Sequence, residues 1–483
     1  MNRSKKLYIL MGVLALVCVV TFGVCKYEEK KEKIKNSDEV ILEIASEDVN
    51  ALSWEYESET LSFHKDKSWS YDDDEAFPVS KEKINELLEM FEEFGVSFII
   101  EDVEDYGQYG LDDPVCTINI ETEDESYEIL LGDYSTMDSE RYVSVGDGNV
   151  YLVKDDPLES FDAGLSDVID HDDMPDFDKA QVNKIKVKGV DDYQAVYEED
   201  SKNTYCEDDV YFVKKDGNPL DTSRVDTYLE TITNLGLTDC VTYKVSDEEL
   251  AEYGLDDPEL TLTVKYTPET DEDGEKDEEE SEEKTFTLSV ARDPEEAAKA
   301  AEEESKEEKE DSSEDTDEEE EEITAYARVG ESKIIYKLTT DQYHELMKAT
   351  YNDLRHQEVL SADFADIQKI DISLEGKDYT LTSEGKGDDV KWYYGEEELN
   401  IEDLQNALEA LEADSFIDEE PEGKEEISLT VYLDNENYPE VTIELYRYDG
   451  SNCLAVVDGE PASLVGRNSV VDLVEAVNTI VLD

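Results

Sequence analysis

Two pairs of adjacent aspartates could perform acid–base or cation chemistry, because the same six residues, YGLDDP, occur twice in the chain. Asp112 and Asp113 belong to the first copy, and Asp256 and Asp257 belong to the second. Paired carboxylates can share a proton, activate a water or hold a cation when folding brings further polar partners to them. The chain has 132 acidic residues, however, so adjacent acids also arise by chance. The hexapeptide can therefore be a site or a structural turn.

The residues around the second copy favour a structural turn. Ser246 and Glu249 have the spacing of an S-x-x-E capping box, and Gly254 falls where a helix end needs a left-handed residue. On the same count Leu255 contacts Leu250, as in a Schellman ending. An aspartate before proline then favours extended backbone, which starts the next strand. The residues of this structural turn motif are Tyr109, Gly110, Leu111, Asp112, Asp113, Pro114, Tyr253, Gly254, Leu255, Asp256, Asp257 and Pro258.

Other signatures of catalysis are absent from the sequence, which has no G-x-S-x-G elbow, no H-E-x-x-H and no glycine-rich phosphate loop. We interpret the histidines His64, His171, His344 and His356 as exposed or structural, because the last two do not have the i, i+4 spacing of a helical metal pair. The acidic stretch 271–277 resembles a calcium loop, but its glycine stands at the fourth position and no bidentate glutamate follows. We therefore predict no catalytic residues, no cofactor and no metal ligands.

The composition argues against some partners and predicts one unstructured segment. The 132 acidic and 42 basic residues give a net charge of -90, which repels nucleic acid and anionic lipid headgroups. The acids are densest in residues 269–322. Because this stretch has too few apolar groups to offset the entropy of ordering, we predict a disordered insertion at about residues 268–322. Cys206 and Cys240 could pair in an oxidising compartment, but buried free thiols are the preferred interpretation.

The first residues predict a membrane anchor. Arg3, Lys5 and Lys6 precede an uncharged segment that begins at Leu7 and ends at Cys25. As a helix this segment would be roughly 28 Å long, close to the thickness of the bilayer hydrocarbon. A cleaved signal peptide is one alternative, but its apolar region is usually shorter and no A-x-A-like site follows the segment. Lipidation at Cys25 is another, but Phe22, Gly23 and Val24 fit poorly the small residues expected before a lipid-modified cysteine. Lysines also follow the segment, so the charge count leaves the orientation open; we expect the bulk of the chain outside the cytoplasm.

Periodicity predicts an α+β fold in which one plan occurs three times after the transmembrane helix. Each repeat reads as a strand hairpin, a helix, an antiparallel strand meander and a closing helix. The hexapeptide follows the first helix in two repeats, and EEPEGKEE stands in its place in the third. The predicted divisions are 1–35 for the cytoplasmic head, anchor and juxtamembrane segment, 36–178 and 179–362 for two repeats, and 363–483 for a shorter third repeat. The acidic insertion belongs to the second repeat.

The helices of this plan have apolar faces at helical spacing. The helices after the hairpins are predicted at residues 80–95, 221–236 and 400–416, with Ser80 as the N-cap of the first and Gly95 as its stop. The closing helices are predicted at residues 157–170, 341–354 and 469–482.

Several of these features together resemble the bacterial domain of unknown function 4340 family. They are the hairpin DKSWSY with Trp69, the capped helix, YGLDDP, the meander RYVSVGDGNVYLV and the basic N-terminal span. The second repeat has Tyr211 and Phe212 in place of the tryptophan, and the third keeps Trp392 but lacks the turn. The resemblance implies a membrane-anchored protein outside the cytoplasm that is associated with ABC-type transport or gliding-motility components. It supplies no catalytic residues.

The expected function is a single-pass anchored, extracytoplasmic binding or scaffold protein that is an accessory of an ABC-type transport system and not an enzyme. Its expected partners are the membrane and an ABC-type permease or related membrane complex. Trp69 and Trp392 could mark contact faces, although core packing is the preferred interpretation. Two alternatives stay open. One is a cell-surface hydrolase that uses the paired carboxylates, and the other is an acidic surface protein that buffers cations through residues 269–322.

Overall fold

The computed structural model describes residues 33–36, 39–101, 103–199, 201–206, 208–269, 282–307, 322–385 and 390–482. The chain divides into two compact units. Unit 1 comprises Met1–Asp172 and Thr238–Val245, and unit 2 comprises Asp173–Leu237 and Ser246–Asp483. The repeat boundaries at residues 178 and 362 stay predictions.

The α+β class predicted from the sequence is wrong, because the structure is mostly β. Strands make up 40% of it and form four antiparallel sheets, and helices make up 21%. The predicted repeat plan, with one full-length helix after each hairpin and a second at the end of each repeat, is wrong as well. The first helix ends at Glu89, and Phe94–Gly95 forms a strand instead of a helix stop. The predicted closing helix at 157–170 is replaced by the short helix Leu158–Phe161 and the 3-10 turn Leu165–Val168.

The predicted transmembrane segment, residues 7–25, lies outside the described residues. Among the helices that the structure does describe, none is both long enough and apolar enough to cross a membrane.

The strands are numbered in chain order. The first eleven are β1 (Lys33–Asn36), β2 (Val40–Leu42), β3 (Val49–Tyr56), β4 (Glu59–Lys65), β5 (Trp69–Tyr71), β6 (Phe94–Gly95), β7 (Phe98–Glu101), β8 (Cys116–Thr122), β9 (Ser126–Ser135), β10 (Glu140–Ser144) and β11 (Val150–Val153). The next nine are β12 (Ala180–Gly189), β13 (Tyr193–Tyr197), β14 (Tyr211–Val213), β15 (Pro219–Leu220), β16 (Cys240–Thr242), β17 (Leu260–Pro268), β18 (Lys284–Arg292), β19 (Ala325–Val329) and β20 (Ile335–Leu338). The last nine are β21 (Ile367–Leu374), β22 (Lys377–Glu384), β23 (Lys391–Tyr394), β24 (Glu397–Leu399), β25 (Ala413–Phe416), β26 (Glu425–Leu433), β27 (Glu440–Arg447), β28 (Asn452–Val457) and β29 (Glu460–Gly466).

Several of the helices have only one turn, and the longest are the last one and the one that begins at Pro294. The helices are α1 (Lys81–Glu89), α2 (Leu158–Phe161), α3 (Thr222–Thr233), α4 (Pro294–Glu307), α5 (Thr340–Met347), α6 (Tyr351–Leu354), α7 (Glu402–Glu409) and α8 (Arg467–Leu482). The helix α4 falls inside the segment for which disorder was predicted, where Asp293 caps it by accepting hydrogen bonds from the Glu295 and Glu296 amides. Residues 270–281 and 308–321 of that segment lie outside the described residues.

The three large sheets share a pattern of strand order. In unit 1 the order is β1-β7-β11-β10-β9-β8-β3-β4-β5, and β2 pairs with β6 separately. In unit 2 one sheet has the order β15-β14-β13-β12-β17-β18-β19-β20, and the other has the order β24-β23-β22-β21-β26-β27-β28-β29-β25. In each large sheet a hairpin of early strands therefore lies beside a meander of later ones, and the two are joined by the pairs β3–β8, β12–β17 and β21–β26.

Alternating apolar residues give each sheet one buried face. In unit 1, Trp54 of β3 is 2% exposed, stacks on Phe63 and meets Phe161 edge-on. In the third large sheet, α7 and α8 cover the face that carries Ile370 and Val431, and the side chains of Leu404 and Leu473 are fully buried there. Burial of such side chains contributes about 1.5–3 kcal/mol each. The sheets are therefore held by ordinary apolar cores.

Candidate functional site

One cluster of ionisable side chains in unit 2 is built around His356, which follows the short helix α6. Thr350 caps this helix: its hydroxyl accepts a hydrogen bond of 3.1 Å from the Asp353 amide, and the Asp353 carboxylate accepts one of 3.0 Å from the Thr350 amide. At the other end, the Leu354 carbonyl accepts a hydrogen bond of 2.9 Å from the Asp221 amide. These bonds hold Asp221, the residue before α3, beside the segment that contains His356.

Asp209 reaches the same place from the loop before β14. Its side chain is 1% exposed, and Thr204 Oγ1 donates a hydrogen bond of 2.7 Å to its Oδ2. The Thr204 hydroxyl also accepts a hydrogen bond of 2.9 Å from the Cys206 amide. The Val210 amide in turn donates to Thr222 Oγ1 over 3.0 Å, which joins the loop to the first turn of α3. The Asp209 carboxylate therefore lies in a loop fixed at both ends.

Carboxylates face both nitrogen atoms of the His356 imidazole, which is 16% exposed. Its Nε2 lies 2.9 Å and 3.0 Å from the two carboxylate oxygens of Asp209. Its Nδ1 lies 3.8 Å from Asp221 Oδ2 and 3.7 Å from Glu358 Oε2, distances that suit ion pairs rather than hydrogen bonds. Glu358 Oε2 is buried and has no hydrogen-bond partner among the described residues.

The electrostatics of the cluster are dominated by these carboxylates. Burial alone disfavours the charged imidazole, but the hydrogen bond to Asp209, with the contributions of Glu358 and Asp221, raises the pKa of His356 to about 9. The imidazolium in turn lowers the pKa of Glu358 to about 2. At neutral pH one cation is therefore surrounded by three carboxylates, and the cluster is net acidic.

Cys206 completes a set of metal-ligating atoms. Its sulfur, a carboxylate oxygen of Asp209 and a ring nitrogen of His356 all lie within 4.8 Å of one another. Asp221, His356 and Glu358 form a second group of the same kind. Burial raises the pKa of the Cys206 thiol to about 11, so the sulfur is protonated at neutral pH unless a cation displaces the proton. The arrangement can hold a cation that accepts sulfur, nitrogen and oxygen ligands.

A cavity of about 350 Å³ opens beside the imidazole. Its walls include Phe416 and Tyr351, and the guanidinium carbon of Arg355 lies 4.2 Å and 5.1 Å from the centroids of their rings. Tyr205 and Tyr438 meet edge-to-face with their ring centroids 5.4 Å apart. Burial raises the pKa of Tyr205 to about 12, which keeps its hydroxyl a neutral hydrogen-bond donor. The cavity wall therefore combines aromatic rings with two cations, the Arg355 guanidinium and the His356 imidazolium, and with the carboxylates of Glu358 and Asp458.

Arg355 contributes its guanidinium to the wall of this cavity. Within the part of the chain that the structure describes, no carboxylate forms an ion pair with this guanidinium, although acids outnumber bases 132 to 42 in the sequence. The guanidinium contacts the two rings by cation–π interactions, which do not use its N–H groups. These N–H groups can therefore donate hydrogen bonds to an incoming acceptor. The cavity can therefore bind an anionic group beside aromatic surface.

The second YGLDDP copy forms a turn in unit 2. Gly254 has a φ of 71° and ends the 3-10 turn Leu250–Tyr253. The amide of Leu255 donates a hydrogen bond of 3.0 Å to the carbonyl of the first turn residue, which is the longer bond of a Schellman ending. The Glu249 carboxylate accepts hydrogen bonds of 2.7 Å from the Ser246 hydroxyl and 2.8 Å from the Ser246 amide. The N-cap of the turn, however, is Glu249 and not Ser246. The segment is thus a 3-10 turn rather than the expected α-helix.

The first copy has the same geometry in unit 1. Gly110 also has a φ of 71°, after the 3-10 turn Tyr106–Tyr109, and the Leu111 amide donates over 3.1 Å to the carbonyl of the first turn residue. Tyr109 and Leu111 lie in a buried cluster with residues of β7 and β11. The motif therefore packs a loop onto the sheet.

The four aspartates of the two motifs are exposed, and each pair belongs to a different compact unit. Trp69 is 5% exposed and Trp392 is 3% exposed, so both lie in cores rather than on contact faces. Cys206 and Cys240 are both free thiols, as preferred, but each is half-buried rather than buried. His64 lies at the surface and pairs with Asp72. The calcium-like stretch 271–277 lies outside the described residues.

The site residues in unit 2 were missed by sequence reasoning. His356 was interpreted as exposed or structural, and Asp209 was not singled out. The two residues are separated by 147 positions, so only the tertiary fold brings them together. The local signals are weak: the H-x-E spacing of His356 and Glu358, and the position of Asp221 directly before a helical pattern.

The antiparallel sheets and their hairpin-and-meander order define a β-rich protein. The model of a domain of unknown function, DUF4340, matches residues 69–242 and 211–429, and the chain belongs to this family. The resemblance seen at Trp69 and YGLDDP is thereby confirmed. Searches of curated proteins and of solved structures found no match. Membership of the family assigns no reaction and no residue role.

Proposed function

We propose that the chain is an extracytoplasmic binding or scaffold subunit, associated with the membrane through residues 7–25, and that it is an accessory of an ABC-type transport system rather than an enzyme. The length of that uncharged segment supports the membrane association, and a short basic head before a single first span is the common signal-anchor arrangement. The partner class follows from what the family resemblance implies. The binding surface is the cavity lined by Arg355.

The observation that carries this proposal is the arginine with no ion-pair partner among the described residues. An arginine presents a planar fork of N–H groups that suits a carboxylate or phosphate in a bidentate contact. The rings of Phe416 and Tyr351 hold the guanidinium in place, so little rotamer entropy is lost when an acceptor binds. Aromatic and arginine side chains of this kind dominate the energetics of protein interfaces.

The surrounding negative charge makes the cavity selective. A net charge of -90 repels acidic partners in general. An acidic group therefore binds favourably only where a cation of the protein contacts it directly. We therefore propose that an acidic side chain or a carboxyl terminus of a membrane-complex component docks against Arg355.

The alternatives have weaker support. A hydrolase that uses the paired carboxylates would need convergent partners around Asp112 or Asp256, but these acids lie exposed in turns. Cation buffering through residues 269–322 depends on a segment of which much lies outside the described residues. A direct test of it is calorimetry with Ca²⁺ on the full chain and on a chain without that segment, where equal heats would exclude it.

Photo-crosslinking in intact cells tests the proposed binding surface. A photoreactive phenylalanine at position 438, in the cavity wall, should form an adduct with an ABC-type permease component. The same probe at the exposed position 448 of unit 2 should not. Substitution Arg355→Gln should weaken the adduct about thirtyfold, the equivalent of about 2 kcal/mol for an interface residue of this type.

The matched control is Arg447→Gln, which removes an exposed arginine of the same unit that pairs with Glu426. It should leave the adduct unchanged. Equal adducts from positions 438 and 448, or an adduct insensitive to Arg355→Gln, would contradict the proposal, as would adducts with soluble proteins alone.

A further inference from the structure

We infer that Cys206, Asp209 and His356 form a binding site for a divalent transition-metal ion of the zinc class. The inference is separate from the proposed partner binding, because it rests on different side chains of unit 2. The three residues offer a sulfur, an oxygen and a nitrogen atom, which is a donor set that zinc sites use. Calcium and magnesium prefer oxygen ligands throughout, so the thiol and the imidazole favour zinc over them.

The distances suit a site that closes by a small movement. The three ligand atoms lie within 4.8 Å of one another, and His356 Nε2 lies 2.9 Å from Asp209 Oδ1. Bond lengths of about 2.0–2.3 Å in a tetrahedral site imply ligand atoms roughly 3.3–3.8 Å apart. An ion that enters between Asp209 and His356 therefore widens their contact slightly, and Cys206 needs to move inward by at most about 1 Å. Side-chain rotation is enough for both changes.

The other edge of the imidazole carries the groups that usually orient a metal-bound histidine. A ligating histidine commonly donates its second N–H to a carboxylate, which fixes the ring and increases its basicity. Asp221 and Glu358 face Nδ1 of His356 at 3.8 Å and 3.7 Å. The Asp221 carboxylate is itself anchored, because it accepts a hydrogen bond of 2.9 Å from the Ser223 amide at the start of α3.

Glu358 lies on the Nδ1 edge of the same imidazole, 3.7 Å away. Its Oε2 is buried and lacks a hydrogen-bond partner among the described residues, a costly state for a carboxylate oxygen. A metal-bound imidazole whose Nδ1–H turns toward this oxygen would satisfy it. The geometry thus contains the three ligands and, on the other edge of the ring, an acceptor for the Nδ1–H of a metal-bound imidazole.

Access to the site is open on one side. His356 lines the 350 Å³ cavity, so a water or a group of a bound partner can occupy a fourth position on the ion. Thr204 fixes the Asp209 carboxylate and the Cys206 backbone from the protein side. Three protein ligands and one open position are the arrangement found in exchangeable or catalytic zinc sites.

The competing explanation is a permanent ion pair between Asp209 and His356 that serves only the fold. In that case the Cys206 sulfur has no role, and its replacement by serine changes nothing but local packing. Metal binding therefore makes a prediction about Cys206 that the ion pair does not make.

The test uses the purified full chain, kept reduced and treated with a chelator, and titrates it with Zn²⁺ by calorimetry and with Co²⁺ by absorption. One ion per chain should bind, and Co²⁺ should show the thiolate charge-transfer band that requires a cysteine ligand. Cys206→Ser should abolish the band. It should also reduce Zn²⁺ affinity by more than about 100-fold, because loss of an orienting partner alone costs about 10–100-fold.

Two variants refine the result. Asp221→Asn keeps a good helix N-cap but removes a carboxylate from Nδ1, so it should weaken Zn²⁺ binding by about 10–100-fold with the helix intact. Cys240→Ser replaces a free, half-buried thiol of unit 1 and should change nothing. Arg355→Gln should leave metal binding intact, which separates this site from the proposed partner cavity. Absence of stoichiometric Zn²⁺ binding, or binding that survives Cys206→Ser with its band unchanged, would overturn the inference.

Discussion

At the scale of single residues, Asp74 shows how one carboxylate joins distant parts of the sequence within unit 1. Its Oδ2 accepts hydrogen bonds of 2.7 Å from Lys244 Nζ and 2.9 Å from the Tyr243 hydroxyl, and its Oδ1 accepts one of 3.0 Å from the Ala76 amide. These bonds, with Lys244 the largest contributor, lower the pKa of Asp74 to about 2. Folding therefore favours the ionised carboxylate.

Replacement of this carboxylate should have a pH-dependent effect. An unfolded aspartate titrates near pH 3.9, so the ionised side chain contributes stability above about pH 4 that is lost as the pH falls through about 2. Asp74→Asn should lower the melting temperature of unit 1 at pH 7, and the difference from the wild type should shrink strongly as the pH falls to about 2. Fluorescence of Trp54 and Trp69 in a Trp392→Phe background reports this unit. The control is Asp124→Asn, an exposed aspartate in a turn; a difference that persists at pH 2 would contradict the assignment.

Local residue roles could be predicted from the sequence, whereas the cluster around His356 could not. Ser80 was predicted to cap α1, and its hydroxyl accepts a hydrogen bond of 3.3 Å from the Lys83 amide, which confirms the prediction. A cap depends on three neighbouring residues, so its signal is contained in the sequence. The contact between Asp209 and His356 depends on how a loop and a helix end meet across unit 2. No pattern of spacing encodes it.

At the scale of elements, the glycine of YGLDDP decides how a turn meets its sheet. A side chain at position 254 would strain a residue with a φ of 71°, and its Cβ would lie 2.9 Å from the Arg292 carbonyl oxygen. Gly254→Ala should therefore destabilise unit 2 by about 1–3 kcal/mol in a urea unfolding measurement. Fluorescence of Trp392, in a background in which Trp54 and Trp69 are replaced by phenylalanine, reports this unit.

A matched glycine separates the two contributions to that cost. Gly395 has a φ of 63° in the same unit, but a Cβ there would meet no atom within 4 Å. Gly395→Ala should therefore show the backbone strain alone and cost less than Gly254→Ala. Equal costs at both positions would show that the contact with β18 has no energetic role.

Strands were easier to predict than helices, for a physical reason. Alternation over β3, β17 and β26 predicted these strands, because one face of each is buried and the other is not. Apolar spacing also indicated helices, but it could not set their ends. Residues 413–416 continue the predicted helical pattern, yet they form β25 because the edge strand β29 offers backbone hydrogen bonds there. This pairing is a long-range tertiary contact, so the local sequence does not predict it.

At the scale of the whole molecule, self-repulsion among carboxylates should limit stability. The net charge of -90 acts over long distances at low ionic strength. Raising NaCl from about 0.01 M to about 1 M shortens the Debye length from about 30 Å to about 3 Å, so the melting temperature should rise by several degrees. Differential scanning calorimetry at pH 7 measures this rise. Near pH 4, where many carboxylates are protonated, the rise should be smaller; a fall with salt at pH 7 would contradict the explanation.

The pairs that join hairpin and meander have a consequence for the order in which the protein acquires its structure. Trp54 pairs with Ile118, Ile185 with Val264, and Ile370 with Val431, so each early hairpin must wait for a strand synthesised much later. Until that strand arrives, the hairpin exposes an open edge that any other strand could occupy. Newly made chains should therefore be most vulnerable to misassembly in these three intervals, and a chaperone that shields strand edges would act there.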